Sequence, residues 1–260
     1  MKISYNYFVN TDKQDAVKET YKAYAKKQNQ ACKEALKQER ALVQVTNAFL
    51  IPTPYGFFRV GGGNTKVHFP TINMESGLTC SSAHSCPYSF QQKRANPNNG
   101  KPLCYAQKME GRLPALFASK VYQAEVVERI AKKATEDEIR ILIMHIATAC
   151  EFLRRGKDKY IRFSEVGDIG PTVAPLAKKI ISMLAATGYK PYLYTKRPPQ
   201  EQADLRAAGA TVVVSDDDFV CVHSAEEAAS LKLPVCPGQC GGPGGCYRCP
   251  QGKKTAVIAH

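Results

Sequence analysis

Between residues 159 and 235, short apolar runs alternate with longer amphipathic stretches at a regular interval. KYIRFS, KPYLYT and ATVVVS are rich in β-branched and aromatic side chains and read as strands. TVAPLAKKIISMLAATG and PPQEQADLRAAG carry their apolar residues at helical spacing and stop at Gly188 and Gly209. HSAEEAASLK reads as a third helix and LPVC as a short fourth strand. This alternation predicts an α/β fold built from parallel βαβ units.

Upstream the pattern is less regular. Residues 11–46 lack Gly and Pro and read as helix, with a break expected near Gln28-Asn29-Gln30. Two short apolar runs around Pro52-Thr53-Pro54-Tyr55-Gly56 predict a hairpin, and residues 65–73 a strand. Residues 112–133 read as helix, with Leu113, Leu116, Val121, Val127 and Ile130 as core candidates. Thr135 and Glu138 have capping-box spacing and open a further helix that stops at Gly156. His145 lies in its apolar part and is expected to be a core histidine. TAVIA near the end reads as a last strand. The expected division is a basic helical extension with a hairpin at 1–60, then a (β/α) domain at 61–260 that includes a cysteine-rich segment at 236–252.

Composition adds charge. The chain has 260 residues, with 36 Lys and Arg against 23 Asp and Glu, a net charge of +13. That excess suits a polyanionic partner, nucleic acid above all, and equally a solvated surface. Lys18, Lys22, Lys26 and Lys33 make the first helix a candidate strip along a phosphate backbone. No apolar run approaches bilayer length, so no membrane partner is expected. The N-terminus lacks an apolar stretch of signal length, which points to a reducing, cytoplasmic setting.

In that setting, ten cysteines is a large number. Cys80, Cys86 and Cys104 form one group, spaced C-x5-C-x17-C, and Cys236, Cys240, Cys246 and Cys249 a second, spaced C-x3-C-x5-C-x2-C. Both lie among Gly, Pro and Ser, with little apolar side chain to bury, so a bound inorganic centre is the economical way to order them. Thiolates ligate both zinc and iron–sulfur clusters, and spacing alone does not separate the two. Four ligands close a site, whereas three leave a position open for a substrate atom or cofactor. His68 or His84 would close the first site as zinc. Cys32, Cys150 and Cys221 fall outside both groups and read as buried thiols.

Ligands of parallel sheets gather at the carboxyl ends of strands. There the chain places Glu165 and Asp168 after the first strand, and Thr195, Lys196 and Arg197 after the second. Ser215, Asp216, Asp217 and Asp218 follow the third, and Cys236 the fourth. Helix capping is the alternative role for Asp168 and Asp216.

Cysteines ending in Cys104-Tyr105-Ala106, then Arg162-Phe163-Ser164-Glu165-Val166-Gly167-Asp168, then Tyr192-Leu193-Tyr194-Thr195-Lys196, resemble the phage "gene product 88" domain family over about residues 65–260. The pattern is also similar, more distantly, to radical S-adenosylmethionine proteins. That resemblance implies a partial or complete TIM-like (β/α) barrel and a three-cysteine 4Fe–4S cluster at the strand carboxyl ends. It also implies a further cluster held by C-terminal cysteines. The chain has C-x5-C-x17-C where that superfamily has a tight C-x3-C-x2-C loop.

The expectation is an iron–sulfur enzyme, with one or two 4Fe–4S clusters and S-adenosylmethionine as candidate cofactor, acting on a nucleic acid or nucleotide. Glu165, Asp168 and Lys196 are the expected catalytic residues. Arg162, Glu165, Asp168, Thr195 and Arg197 are the expected cofactor-binding ones, and a flavodoxin or ferredoxin a suitable electron donor. The competing expectation is a non-catalytic nucleic-acid-binding protein with structural zinc or iron–sulfur sites.

Overall fold

The computed structural model describes residues 11–63, 69–76, 80, 104–154, 159–164, 167–214, 219–222, 224–235 and 255–258. Seven strands form one open sheet in the order of the sequence: β1 (Val43–Val45), β2 (Ala48–Thr53), β3 (Gly56–Gly61), β4 (Thr71–Ile72), β5 (Tyr160–Phe163), β6 (Lys190–Thr195) and β7 (Thr211–Val214). The first four are antiparallel neighbours, and β4 through β7 are parallel. Helix α1 (Thr11–Lys37) precedes the sheet. Helices α2 (Tyr105–Arg112), α3 (Pro114–Lys133) and α4 (Glu136–Leu153) join β4 to β5, α5 (Ala174–Ala186) joins β5 to β6, and α6 (Pro199–Ala207) joins β6 to β7.

The parallel strands follow one another in space as in sequence. Crossovers of fixed hand then lay their helices on one face. Ile161, Phe163, Leu193 and Val212 accordingly share one apolar cluster with Val127 of α3, Ile146 of α4 and Ile180 of α5. Alternation along the strands turns Tyr160, Tyr192 and Tyr194 to the opposite face, where they pack with Phe69.

The expected βαβ succession is therefore present, but the sheet is not closed and no TIM barrel forms. The hairpin strands β1 and β2 occupy one end, and β7 ends the other. Among the described residues after β7, none rejoins the sheet: β8 (Phe219–Val222) pairs with β9 (Thr255–Ile258) as a separate two-stranded unit, with α7 (Ala225–Ser230) between them. Val235, expected in a fourth parallel strand, makes only an isolated bridge to Ala256.

Helix α1 is not a peripheral extension. Val17, Tyr21, Cys32 and Ala35 lie in the main core with residues of α3 and β3. The helix runs unbroken through 28–30 because Asn29 has a partner there: its Oδ1 accepts a hydrogen bond from the Tyr122 hydroxyl at 2.9 Å. It ends at Lys37, and residues 43–45 are strand. Its outer lysines are partly spent in local ion pairs, Lys18 with Asp15 and Lys22 with Glu19.

The helix expected at 112–133 is two helices. Pro114 disfavours helical backbone at the residue before it, and Leu113 takes φ −121°, ψ 94°, between α2 and α3. Leu113 is consequently exposed rather than in the core and Leu116 is half-buried, whereas Val121, Val127 and Ile130 are buried. The capping box forms as anticipated, with Thr135 and Glu138 each accepting from the other's backbone N–H.

Helix α3 lies against β3 closely enough to bond its backbone. The Tyr122 hydroxyl and the Gln123 Oε1 accept from the N–H groups of Phe57 and Arg59. Gly56 makes that approach feasible. Its φ is +127°, and a Cβ there would stand 2.7 Å from Val126 Cγ2 and 2.8 Å from the Tyr122 hydroxyl. Gly56→Ala is expected to destabilise the protein by about 2–4 kcal/mol, from backbone strain plus overpacking. Chemical denaturation should show this as a lowered midpoint with an unchanged slope.

Candidate functional site

The carboxyl ends of β4, β5 and β6 meet at one rim. Gly167, in the turn after β5, has φ +73°, and a Cβ on it would lie 2.7 Å from the Ser76 carbonyl oxygen and 3.0 Å from the Glu75 carbonyl carbon. The segment leaving β4 is thus seated on the turn leaving β5. That segment leads to Cys80, and the connection ends at Cys104, which stands at the N-cap of α2. Both cysteines are half-buried.

Asp168 ties the same rim to β6. It is 4% exposed. Its Oδ1 accepts from the Ile169 N–H and from the Thr195 hydroxyl, both at 2.8 Å, and its Oδ2 accepts from the Lys196 N–H at 3.0 Å. Thr195 in turn accepts from the Arg197 N–H at 3.0 Å. Asp168 does not cap α5, whose N-cap is Val173. The carboxylate instead joins the ends of two adjacent strands. Arg197 is committed to a two-pronged pair with Glu201, at 2.7 and 2.8 Å, and that carboxylate holds its guanidinium firmly protonated.

Arg162 and Ser164 differ from these in leaving donors unused. Arg162 lies in the carboxyl half of β5, on the side away from Phe163, and Ser164 follows the last residue of the strand. The Arg162 guanidinium sits over the Tyr194 ring, 5.2 Å from its centroid. Its Nε is sealed from solvent without a hydrogen bond, as is the Oγ of Ser164. Ser164 also has a left-handed backbone, φ 51°, fixed by its N–H bond to the Ile72 carbonyl at 2.8 Å. Strained, buried and polar is a combination that concentrates at binding sites.

The rim expected from the sequence is thus assembled in part. Asp168, Thr195, Lys196 and Arg197 form one hydrogen-bonded group, with Arg162 on the neighbouring strand. Glu165, Ser215, Asp216, Asp217, Asp218, His68 and His84 lie outside the described residues, as do Cys86, Cys236, Cys240, Cys246 and Cys249. Among the described residues, no three His, Cys, Asp or Glu side chains come close enough to hold a metal ion. The sequence reading missed Ser164 and the aromatic face. Tyr192 and Tyr194, two apart on one strand, carried a period-two signal that could have revealed the latter.

Cys32 and Cys150 are buried thiols as expected. Burial raises both thiol pKa values, and Cys32 also donates to the Thr53 carbonyl. His145, expected in the core, is half-buried instead. It borders a cavity of about 380 Å³ between the C-terminal end of α1, the β2–β3 turn and α4, together with Glu39, Arg40, Tyr55 and Glu138. Burial holds its imidazole below the usual histidine range. The folded protein therefore binds this proton less readily than the unfolded chain, and stability falls as pH drops below about 6.5. His145→Gln should remove that part of the pH dependence, read as the difference in urea midpoint between pH 7.5 and 5.5.

No described helix is long and apolar enough to cross a membrane. A family model described as gene product 88 matches residues 18–214, about three quarters of the chain. The match begins within α1 and ends at β7, so it takes in the helix and hairpin and stops short of the C-terminal cysteines. No curated protein and no solved structure matches the chain.

Proposed function

This chain belongs to the phage-type gene product 88 family, and we propose, from its two cysteine groups, that it is an iron–sulfur enzyme whose chemistry takes place at the joined carboxyl ends of β4, β5 and β6. The observation that carries the reading is the seating of residues 75 and 76 on Gly167. It sets the residues that lead out of β4 toward Cys80 against the turn that carries Asp168, whose carboxylate bonds Thr195 and Lys196.

Cys80, Cys86 and Cys104 would hold a 4Fe–4S cluster with one iron not ligated by the protein, and the C-terminal four a second cluster. When bound, the first cluster supplies a Lewis-acidic or electron-transferring iron. The chain's own residues do the remainder. Asp168 holds the two strand ends in fixed register. Arg162, on the sheet face opposite the helices, supplies positive charge, held over the Tyr194 ring. Glu165 and Lys196 would hold polar groups of the ligand, S-adenosylmethionine being one candidate. A nucleotide-type substrate suits the +13 net charge.

The test is elemental. Protein purified without oxygen should contain iron and acid-labile sulfide in equal amounts, with the broad visible absorption of a cubane cluster. Stoichiometric zinc without sulfide would refute the reading and favour a structural role for the cysteines.

A further inference from the structure

Helix α4 carries an apolar stripe on the side it turns to solvent. Its exposed positions include 137, 141, 144, 148 and 152, the spacing of one helical face. A solvated helix face is ordinarily polar along its length. Here Ile141, Met144 and Phe152 lie on it, 50%, 60% and 69% exposed. At 1.5 Å per residue they span about 16 Å of helix. Ile141 borders the cavity of about 380 Å³, as does Leu36, which is 40% exposed. At the other end of the stripe the Phe152 ring stands 5.5 Å from the Phe49 ring of β2. A strip of large exposed apolar side chains marks a surface that another surface covers.

The charges beside the stripe indicate what covers it. Asp137 pairs with Arg140 near the start of α4, and Glu151 with Arg154 near its end, acid before base and three residues apart in both cases. An antiparallel second copy of α4 with Ile141 opposite Phe152 puts Met144 opposite Thr148. In that register Asp137 comes opposite Arg154 and Arg140 opposite Glu151, within one residue, so both contacts join unlike charges. Parallel pairing in register would instead set Asp137 on Asp137 and Arg140 on Arg140. A two-fold axis makes like flanks meet, so this face is complementary to itself.

We propose that the exposed face of α4 is a two-fold contact between two copies of this chain, the helices antiparallel and Phe152 of each copy beside Ile141 of the other, at the mouth of the cavity. This goes beyond the enzyme reading and rests on neither cysteine group. The net charge of +13 opposes association at long range, and the apolar stripe and matched charges offset it at contact.

The experiment uses the full chain, purified without oxygen and followed by sedimentation velocity from dilute solution upward. The parent should pass from monomer to dimer as concentration rises. Met144→Glu and Phe152→Glu should each raise the dissociation constant by roughly tenfold or more. Arg140→Glu, which sets two carboxylates opposite each other, should raise it several-fold. Leu231→Glu, at a side chain as exposed as Ile141 but beyond α7, should leave it unchanged. The register is read separately, without adding a charge. Benzoylphenylalanine in place of Ile141 is irradiated in a mixture of isotope-labelled and unlabelled chains. Linked peptides should join position 141 of one copy to the neighbourhood of Phe152 in the other.

A parent that stays monomeric at every concentration would overturn the proposal. So would a dimer that the α4 variants leave intact, or one that Leu231→Glu weakens as much as they do. Cross-links from position 141 to the same position of the second copy, or to a surface outside α4, would overturn it as well.

Discussion

Asp168→Ala is expected to lower stability by about 3–5 kcal/mol, because a buried carboxylate that accepts three hydrogen bonds disappears at once. The Lys196 N–H, the Ile169 N–H and the Thr195 hydroxyl then lose their acceptor, in a place that water does not readily reach. For a chain of this size the loss corresponds to a fall in melting temperature of roughly 10 °C. Asp168→Asn should be milder. The amide oxygen can still accept on one side, but its NH2 faces a donor on the other. Thr195→Val should fall between the two, since Thr195 both donates to Asp168 and accepts from the Arg197 N–H. Circular dichroism melts of the three variants check the order. An Asp168→Ala protein as stable as the parent would show that the strand ends are held by something else.

The second large effect concerns the cysteines. Replacing any one of Cys80, Cys86 or Cys104 by alanine is expected to remove one cluster and leave the other, so iron per chain falls by about half. Replacing Cys236, Cys240, Cys246 or Cys249 should remove the complementary half. The two sets should also differ in function: turnover ends with the first, whereas the second acts through electron supply or stability. A complete loss of iron from a single replacement in either group would mean that all seven ligands share one centre.

Much of this architecture was legible in the sequence, and the parts that were not have identifiable causes. KPYLYT is strand over the whole of Lys190–Thr195, and the helices on either side of it stop two residues before Gly188 and Gly209, because period and terminators agree there. Leu113 misled because a helical pattern ran across it, while Pro114 restricted its backbone. Asn29 misled in the opposite sense. A polar triplet looked like a break, yet its side chain is bonded across space to Tyr122, a partner 93 positions away. The closed barrel failed for a similar reason. Local alternation specifies βαβ units, but closure depends on which strands meet at the sheet edges, and here a hairpin takes one of those places.

At the candidate site, Asp168, Thr195 and Lys196 were legible as residues that follow strands. Their mutual bonding was not, because it rests on the register of β5 against β6. Arg162 was picked out by resemblance rather than by any pattern. Its surroundings, a ring and, among the described residues, no carboxylate partner, come from the fold. Ser164 carries no sequence signal, since a serine at a strand end is ordinary until its backbone is seen in the left-handed region.

The measurement that bears most directly on the central claim is the Mössbauer spectrum of anaerobically purified, iron-57-enriched protein, recorded with and without S-adenosylmethionine or the nucleotide that proves to bind. The account predicts a cubane cluster in which a single iron changes its isomer shift and quadrupole splitting when the ligand is added. A spectrum with every iron in tetrahedral sulfur coordination, unaltered by any ligand, would contradict it.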